Sequence, residues 1–433
     1  MTQTAFRAQI FHLLDDPHVA EEAVVYHRDG LLIIEDGHIR ICGPWSECRG
    51  LLHRDTRVRH MPDYLIVPGF VDTHIHYPQV DIIAAYGKQL MDWLTTYTFP
   101  EEARFSDRKK CQETAGFFLD ELLRNGTTTA LVFGTVHEVS ADVLFEQARA
   151  RHMRLIAGKV LMDRNAPDNL LDGPDRGQAA TERLIRKWHG KDRLGYAITP
   201  RFAPTSTPAQ LELAGRLKAA HRDVHVHTHM CETKKEIATV AALFPDSQDY
   251  LDVYARYGLV GDKTVLAHGI HMGADMCRRI ARAGAAVALC PTSNLFMGSG
   301  LFNLARLRRY KIRLGLGTDV GGGTSFSQFA TMKAAYEVAQ LRGTSLGAFE
   351  AFYLATLGGA RSLGLEKHIG NFEPGKEADF VVLDLSATPL MARRLSVAKD
   401  LHETLFALMI LGDDRVVSET FVMGQSAYKR RRA

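Results

Sequence analysis

The amino-acid sequence predicts a (β/α)8 TIM-type barrel carrying a small β-sandwich built from both chain ends. Two patterns point to it. Between residues 68 and 368, eight short apolar runs alternate with amphipathic helical stretches, as strands joined by helical crossovers do. Outside that interval, at 1–67 and 369–433, strand-like runs return, separated by turns. An open doubly wound sheet would normally carry a Gly-rich nucleotide turn after its first strand, and "DTHIHYP" is no such turn.

The N-terminal flank supplies "RAQIFHLL", "GLLIIEDGHIRICG" and "DYLIVPG", with Gly and Asp where hairpin turns need them. The barrel strands begin with "GFVDTHI", "TTALVF" (128–133), "RLIAGKV" (154–160) and "LGYAIT" (194–199). They continue with "VHVHTHM" (224–230), "KTVLAH" (263–268), "AAVALC" (285–290) and "IRLGLGT" (312–318). Between them, stretches such as "CQETAGFFLDELLRNG", "TERLIRKWHG" and "LELAGRLKAAHR" have helical periodicity. Several end at Gly or Asn-Gly, where helices stop. After the helical "LGAFEAFYLATLGGARSLGL", strand character returns with "EADFVVLDL" and "RVVSETFVMGQSAY".

A chain of 433 residues can bury a sizeable core. Its 46% hydrophobic and 24% charged content is ordinary for a globular protein. A net charge of +3 is too small to argue for nucleic acid or a membrane surface as partner. The six cysteines are scattered without a Cys-x-x-Cys pair, against both a disulfide framework and a cysteine zinc site. The N-terminus lacks a signal-peptide core, and no apolar run approaches the roughly 20 residues of a membrane helix. These features lead us to expect a cytoplasmic protein whose partner is a small molecule, and a homodimer is compatible with them.

Barrel chemistry sits at the C-terminal ends of the strands. Alternate side chains of a strand share a face, so "THIH" aims His74 and His76 at one point, with Gln79 three residues on. Strand five ends at His229 with Glu232 close behind, strand six at His268 and strand eight at Asp319. His225 and His227 share the parity of His229, and alternation does not choose among the three. The strand-end position favours His229. Taken singly, Asp319 could cap the next segment and His268 could be a satisfied buried imidazole. Together, the imidazoles and the carboxylate make an N/O donor set suited to zinc or another borderline divalent metal.

"PGFVDTHIH", the histidines ending strands five and six, and "GLGTDVGGG" resemble the amidohydrolase superfamily of metal-dependent hydrolases. "GNFEPGKEADFVVLD" is similar to that superfamily's return into its β-sandwich. More narrowly, "HYPQ", "TFPEE", "NGTTTALVFGTVH", "TPRFAPTS", "HMCE" and "CPTSN" resemble the guanine deaminase family, and the likeness runs from about residue 30 onward. The resemblance implies one Zn²⁺ per chain, held by His74, His76, His229 and Asp319. It implies Glu232 as proton carrier, with Asp319 and His268 at the attacking water. It also implies a substrate set of His76, Gln79, Arg201, Phe202 and Glu232, and hydrolysis of guanine to xanthine and ammonia.

The carboxylated lysine that binuclear members often place on strand four has no counterpart in "LGYAIT". The aromatic "QLMDWLTTYTFPEE", with Trp93, Tyr97 and Phe99, reads as local packing or a lid. The rival readings are an aminohydrolase acting on another purine, a pterin or an s-triazine, and a non-catalytic barrel scaffold. The His-x-Glu plus Pro-Cys-x-x-Cys signature of cytidine deaminases is absent.

Overall fold

A computed structural model describes residues 3–86 and 90–431. The N-terminal flank forms β1 (Gln3–Leu13), β2 (Val24–Glu35), β3 (His38–Pro44) and β4 (Val58–Pro68). The barrel then runs through β5 (Phe70–His76), β6 (Thr127–Phe133), β7 (Arg154–Gly158), β8 (Val160–Leu161) and β9 (Leu194–Pro200). It continues with β10 (His225–Met230), β11 (Thr264–His268), β12 (Ala286–Leu289) and β13 (Arg313–Leu316). Beyond it, β14 (Phe380–Asp384), β15 (Val417–Val422) and β16 (Gln425–Lys429) return to the first sheet.

That first sheet has the order β16-β15-β14-β4-β1-β2-β3, so both ends of the chain share it. Phe6 on β1 and Phe421 on β15 are three strand spacings apart in this order, about 14 Å in a flat sheet. Their rings nevertheless lie 5.1 Å apart. The sheet therefore rolls over its own core of Phe6, Ile10, Leu32, Phe380 and Phe421, in the manner of a sandwich.

The barrel order is β5-β6-β7-β9-β10-β11-β12-β13, with the short β8 paired to β9. The mouth closes between β5 and the turn after β13. Asp319 N–H donates to the His74 carbonyl and His76 N–H donates to the Val320 carbonyl, both at 2.9 Å. Below them the Thr73 hydroxyl donates to the Leu316 carbonyl at 3.0 Å. This seam requires a residue without a side chain. A Cβ on Gly315 would lie 2.3 Å from Thr73 Cγ2 and 3.2 Å from the Cα of Gly359.

The surrounding helices follow ordinary local rules. In Arg108–Arg124, the Asp107 side chain accepts from Lys109 N–H as N-cap. Cys111, Ala115, Phe118, Leu119 and Leu122 recur at helical spacing and are buried. Gly126 then ends the helix with φ +80. Burial of each large apolar side chain contributes about 1.5–3 kcal/mol.

Three local features differ from the sequence expectation. "RLIAGKV" is split at Lys159, whose N–H donates to the Tyr196 hydroxyl at 3.1 Å, while its buried ammonium pairs with Asp172. The stretch "LGAFEAFYLATLGGARSLGL" breaks at Thr356 into Ala348–Ala355 and Leu357–Ser362. The C-terminal flank is not wholly β. Helices Pro389–Leu395 and Leu401–Leu411 lie between β14 and β15, and Phe406 packs edge-on to Tyr336 of the barrel helix Gln328–Leu341 at 5.1 Å. At the opposite end of the barrel, Arg193 pairs with Glu377 at 2.6 Å and Asp379 at 2.5 Å, tying the two units together. Among the described residues no helix is long and apolar enough to cross a membrane.

Replacing Gly315 by Ala should destabilise the fold by about 1–3 kcal/mol through overpacking against Thr73. A lower urea midpoint at unchanged slope checks this, and an unchanged midpoint would show that the seam can open to admit a methyl group.

Candidate active site and metal centre

The strand ends converge on one cavity at the mouth of the barrel, where barrel sites lie. Its walls include His76, Gln79, Arg201, Phe202, His229, Glu232, His268 and Asp319. His74 lies just behind them and is fully buried. All nine residues singled out from the sequence are therefore brought together.

The innermost group has the spacing of a metal cage. His76 Nε2 lies 3.3 Å from His74 Nε2 and 3.2 Å from His229 Nε2. Asp319 Oδ1 lies 3.2 Å from His74 Nε2 and 3.4 Å from His76 Nε2. Four donors at metal distances of about 2.0–2.1 Å define a tetrahedron with edges of about 3.3–3.4 Å. The four separations match those edges. A second, overlapping quartet of His74, His229, His268 and Asp319 has donor atoms all within 4.8 Å of one another. The first is the tighter, and His268 sits at its rim.

The remaining ring nitrogens of His229 and His74 are held from behind, while His76 Nδ1 lies 3.2 Å from Gln79 Nε2. The carbonyl of Arg201 accepts from His229 Nδ1 at 2.7 Å, which leaves the Nε2 lone pair facing inward. His74 Nδ1 lies 2.7 Å from His227 Nε2. With His74 ligating through Nε2, its Nδ1–H donates to His227. Alternation left His225, His227 and His229 open. The structure places His229 at the cavity, His227 behind His74, and His225 deeper, 2.9 Å from the Leu363 carbonyl. Burial holds His76 down to about 3 and pulls His74, His227 and His229 below the ordinary histidine value. Neutral imidazoles are the form a metal requires. Burial alone would raise Asp319, but the neighbouring imidazoles of His74, His76 and His268 outweigh it and hold the carboxylate well below the usual range.

Next to this group stands a buried acid. Glu232 follows β10, and burial raises its carboxyl above the ordinary glutamate value. The Ser299 hydroxyl donates to its Oε1 at 2.8 Å, while Oε2 faces His268 Nε2 at 3.6 Å. His268 is anchored by Asn294 Oδ1, 2.9 Å from Nδ1, and its Nε2 lies 3.8 Å from Asp319 Oδ2. Burial alone would lower the His268 pKa, but the carboxylates of Glu232 and Asp319 raise it. His268 and Asp319 both adopt left-handed backbone, with φ 71 and φ 52. Such strain in non-glycine residues concentrates at functional sites.

The aromatic stretch Leu90–Ala103 covers the cavity. Gln89, which begins the quoted segment, lies outside the described residues. Leu90, Trp93 and Leu94 line the cavity beside Met297, and the Phe99 ring sits 5.6 Å from the Arg201 guanidinium carbon. Sequence reasoning missed His227 and Glu102 as partners of the site. Glu102 accepts from Gln79 Nε2 at 3.0 Å and from Arg201 Nη1 at 2.7 Å. Its signal was present in "TFPEE", but nothing in the local pattern says where that carboxylate points.

A barrel of this closure with this donor set defines a metal-dependent hydrolase, and the chain belongs to the amidohydrolase family, matched over residues 65–427. It is 52% identical over 417 residues to guanine deaminase of Escherichia coli (strain K12), covering 96% of this chain and 95% of that one. The solved E. coli guanine deaminase superposes with a TM-score of 0.97 at 50% identity, over 99% of this chain and 100% of that one. Guanine deaminase from C. acetobutylicum, solved with guanine bound in its active site, gives 0.89 at 28% identity, over 99% and 100%. An adenosine deaminase from Xanthomonas campestris, solved with bound zinc, gives 0.85 at 26% identity, over 98% and 92%.

The buried imidazoles make acid sensitivity of the metal-free protein a direct consequence. Burial holds His76 at about 3 and His225 at about 4, both below the free value of 6.5. Between those limits the unfolded chain binds protons that the folded chain refuses, so stability falls as pH drops from about 6.5 toward 4. The thermal midpoint of chelator-treated protein should fall across that window. A midpoint that rose on acidification would reverse the sign assigned to these groups.

Proposed function

We propose that the chain is a zinc-dependent aminohydrolase that converts guanine and water to xanthine and ammonia. The observation that carries this reading is a single cavity in which His76, His229 and Asp319 of the His/Asp cage, Glu232 and the polar pair Gln79–Arg201 all present side chains. The 52% identity to a guanine deaminase supports the substrate. The six cysteines are all unpaired, which supports a reducing, cytoplasmic setting.

His74, His76, His229 and Asp319 would hold the metal, and the donor chemistry and spacing fit zinc. Zinc with an open position brings the pKa of water to roughly 7 and so supplies the nucleophile at neutral pH. The protein's own groups do the rest. Attack at the amino-bearing C2 breaks ring aromaticity, so a ring nitrogen must take a proton as the new bond forms. Glu232, kept protonatable by burial, delivers it. His268, fixed by Asn294, aims Nε2 at the space between Glu232 and Asp319, where it can bond to the attacking oxygen. Asp319 would use Oδ1 in the cage and keeps Oδ2 toward His268, placed to take the proton of the added hydroxyl and pass it to the departing amine, while the first proton of the attacking water restores Glu232. Arg201 offers a fork of donors to a purine carbonyl or ring nitrogen. Gln79 both donates and accepts, and Phe202 gives apolar surface.

Metal analysis of the purified protein should give about one divalent ion per chain, because no lysine lies on β9 to bridge a second. Glu232→Gln should lower kcat by about 10²–10⁴-fold with metal retained; loss of the metal would make Glu232 a ligand instead. On a panel of guanine, adenine, 8-oxoguanine, cytosine and a pterin, guanine should have the highest kcat/KM. Adenine, lacking the carbonyl and the C2 amine, should trail by roughly 10⁴–10⁵-fold. A panel led by any other compound would leave the deaminase class intact but remove guanine as its substrate.

A further inference from the structure

We propose that Glu102 is a positioning residue that fixes the aim and neutralises the charge of the purine-recognition pair, so that the pocket selects a neutral purine over an anionic one. The proposal rests on the guanine reading above and names a device behind it. Glu102 lies in the short helix Phe99–Ala103 and is completely buried. Its Oε1 accepts from Gln79 Nε2 at 3.0 Å and from Arg201 Nη1 at 2.9 Å. Its Oε2 accepts from Arg201 Nη1 at 2.7 Å. Gln79 follows β5, Arg201 follows β9 and Glu102 belongs to the segment over the cavity, so one carboxylate joins three elements.

Two physical consequences follow from this arrangement. An ionised carboxylate only accepts, so it dictates which end of the Gln79 amide turns toward it. The other end is confirmed by Gly321 N–H, which donates to Gln79 Oε1 at 3.3 Å. Gln79 Nε2 also lies 3.2 Å from His76 Nδ1, so the amide is held at both ends and its orientation toward a planar ligand is fixed. The second consequence concerns charge. Arg201 is 3% exposed, and among the described residues its ion-pair partner is Glu102. A buried guanidinium without a counter-charge would attract any anion that fits. With Glu102 in place the pair is neutral as a unit, while Arg201 Nε and Nη2 have no acceptor among the described residues and remain available to a carbonyl. A neutral purine lactam then enters without leaving a charge unpaired, and an anionic purine meets the field of Glu102 behind the guanidinium.

The test is Glu102→Gln, which keeps the shape and removes the charge. Metal content and thermal midpoint report its integrity, and turnover of guanine by the unaltered protein reports separately on the functional reading. The variant should raise KM for guanine by about 10–10²-fold, with kcat falling less. Urate, an anionic purine at neutral pH, should bind about tenfold tighter by calorimetry than to the unaltered protein. Arg201→Gln/Glu102→Gln, with both charges gone, should lose that gain. Unchanged or weaker urate binding in folded, metal-loaded Glu102→Gln would overturn the proposal, as would a fall in kcat at unchanged KM. If Glu102→Gln does not fold, Arg201→Gln carries the same test in reverse. The unpaired Glu102 should then weaken urate binding more than guanine binding, and equal weakening of both would overturn the proposal.

Discussion

Two backbone hydrogen bonds between the end of β5 and the turn after β13 fix the geometry on which the rest of the site depends. One joins Asp319 to the carbonyl of His74, and the other joins His76 to the carbonyl of Val320. They complete the barrel, and three of the four residues in the candidate metal cage are the ones that make them. The contact between the first and last strands of the barrel is thereby the contact between candidate ligands that are far apart in sequence. The left-handed backbone of Asp319 is the local strain that this turn imposes, of order 1–3 kcal/mol. The seam holds it because glycines on β13 and just after it let the chains approach.

The cavity wall and the His/Asp group share their supports. Arg201 contributes its guanidinium to the cavity wall and its carbonyl to the back of His229. A backbone shift at Arg201 would move a cavity-wall guanidinium and the imidazole of His229 together. His227 plays the matching part for His74 with a neutral imidazole, where a carbonyl or carboxylate would be more usual. That choice places no carboxylate behind the His74 ring and leaves Asp319 as the acidic member of the His/Asp group.

Much of this was legible in the sequence because strand parity and strand ends are local properties. His74 and His76 share a face by spacing alone, and β10, β11 and β13 end close to where their apolar runs end. The choice among His225, His227 and His229 was not legible from alternation. All three point inward, and only depth along the barrel separates them. Glu102 was illegible for a different reason. Its partners Gln79 and Arg201 are set by the packing of one segment over the mouth, which no local pattern encodes. Lys159 likewise interrupts a run that reads as one strand, because its partners Tyr196 and Asp172 lie on other segments. The helices at 389–395 and 401–411 stand outside the alternation that identified the barrel, and they pack on its side as additions to it.

The shared sheet has a consequence for how the chain assembles. β4 pairs with β1 on one side and with β14 on the other, and the whole barrel is synthesised between β4 and β14. During translation the N-terminal strands therefore emerge with an open edge, and they keep it until the barrel has left the ribosome. Exposed edges invite pairing with other chains, and pairings of such long sequence separation form late. Arg59, Pro62 and the charged Asp63 on β4 are residues of the kind that discourage premature pairing at such an edge.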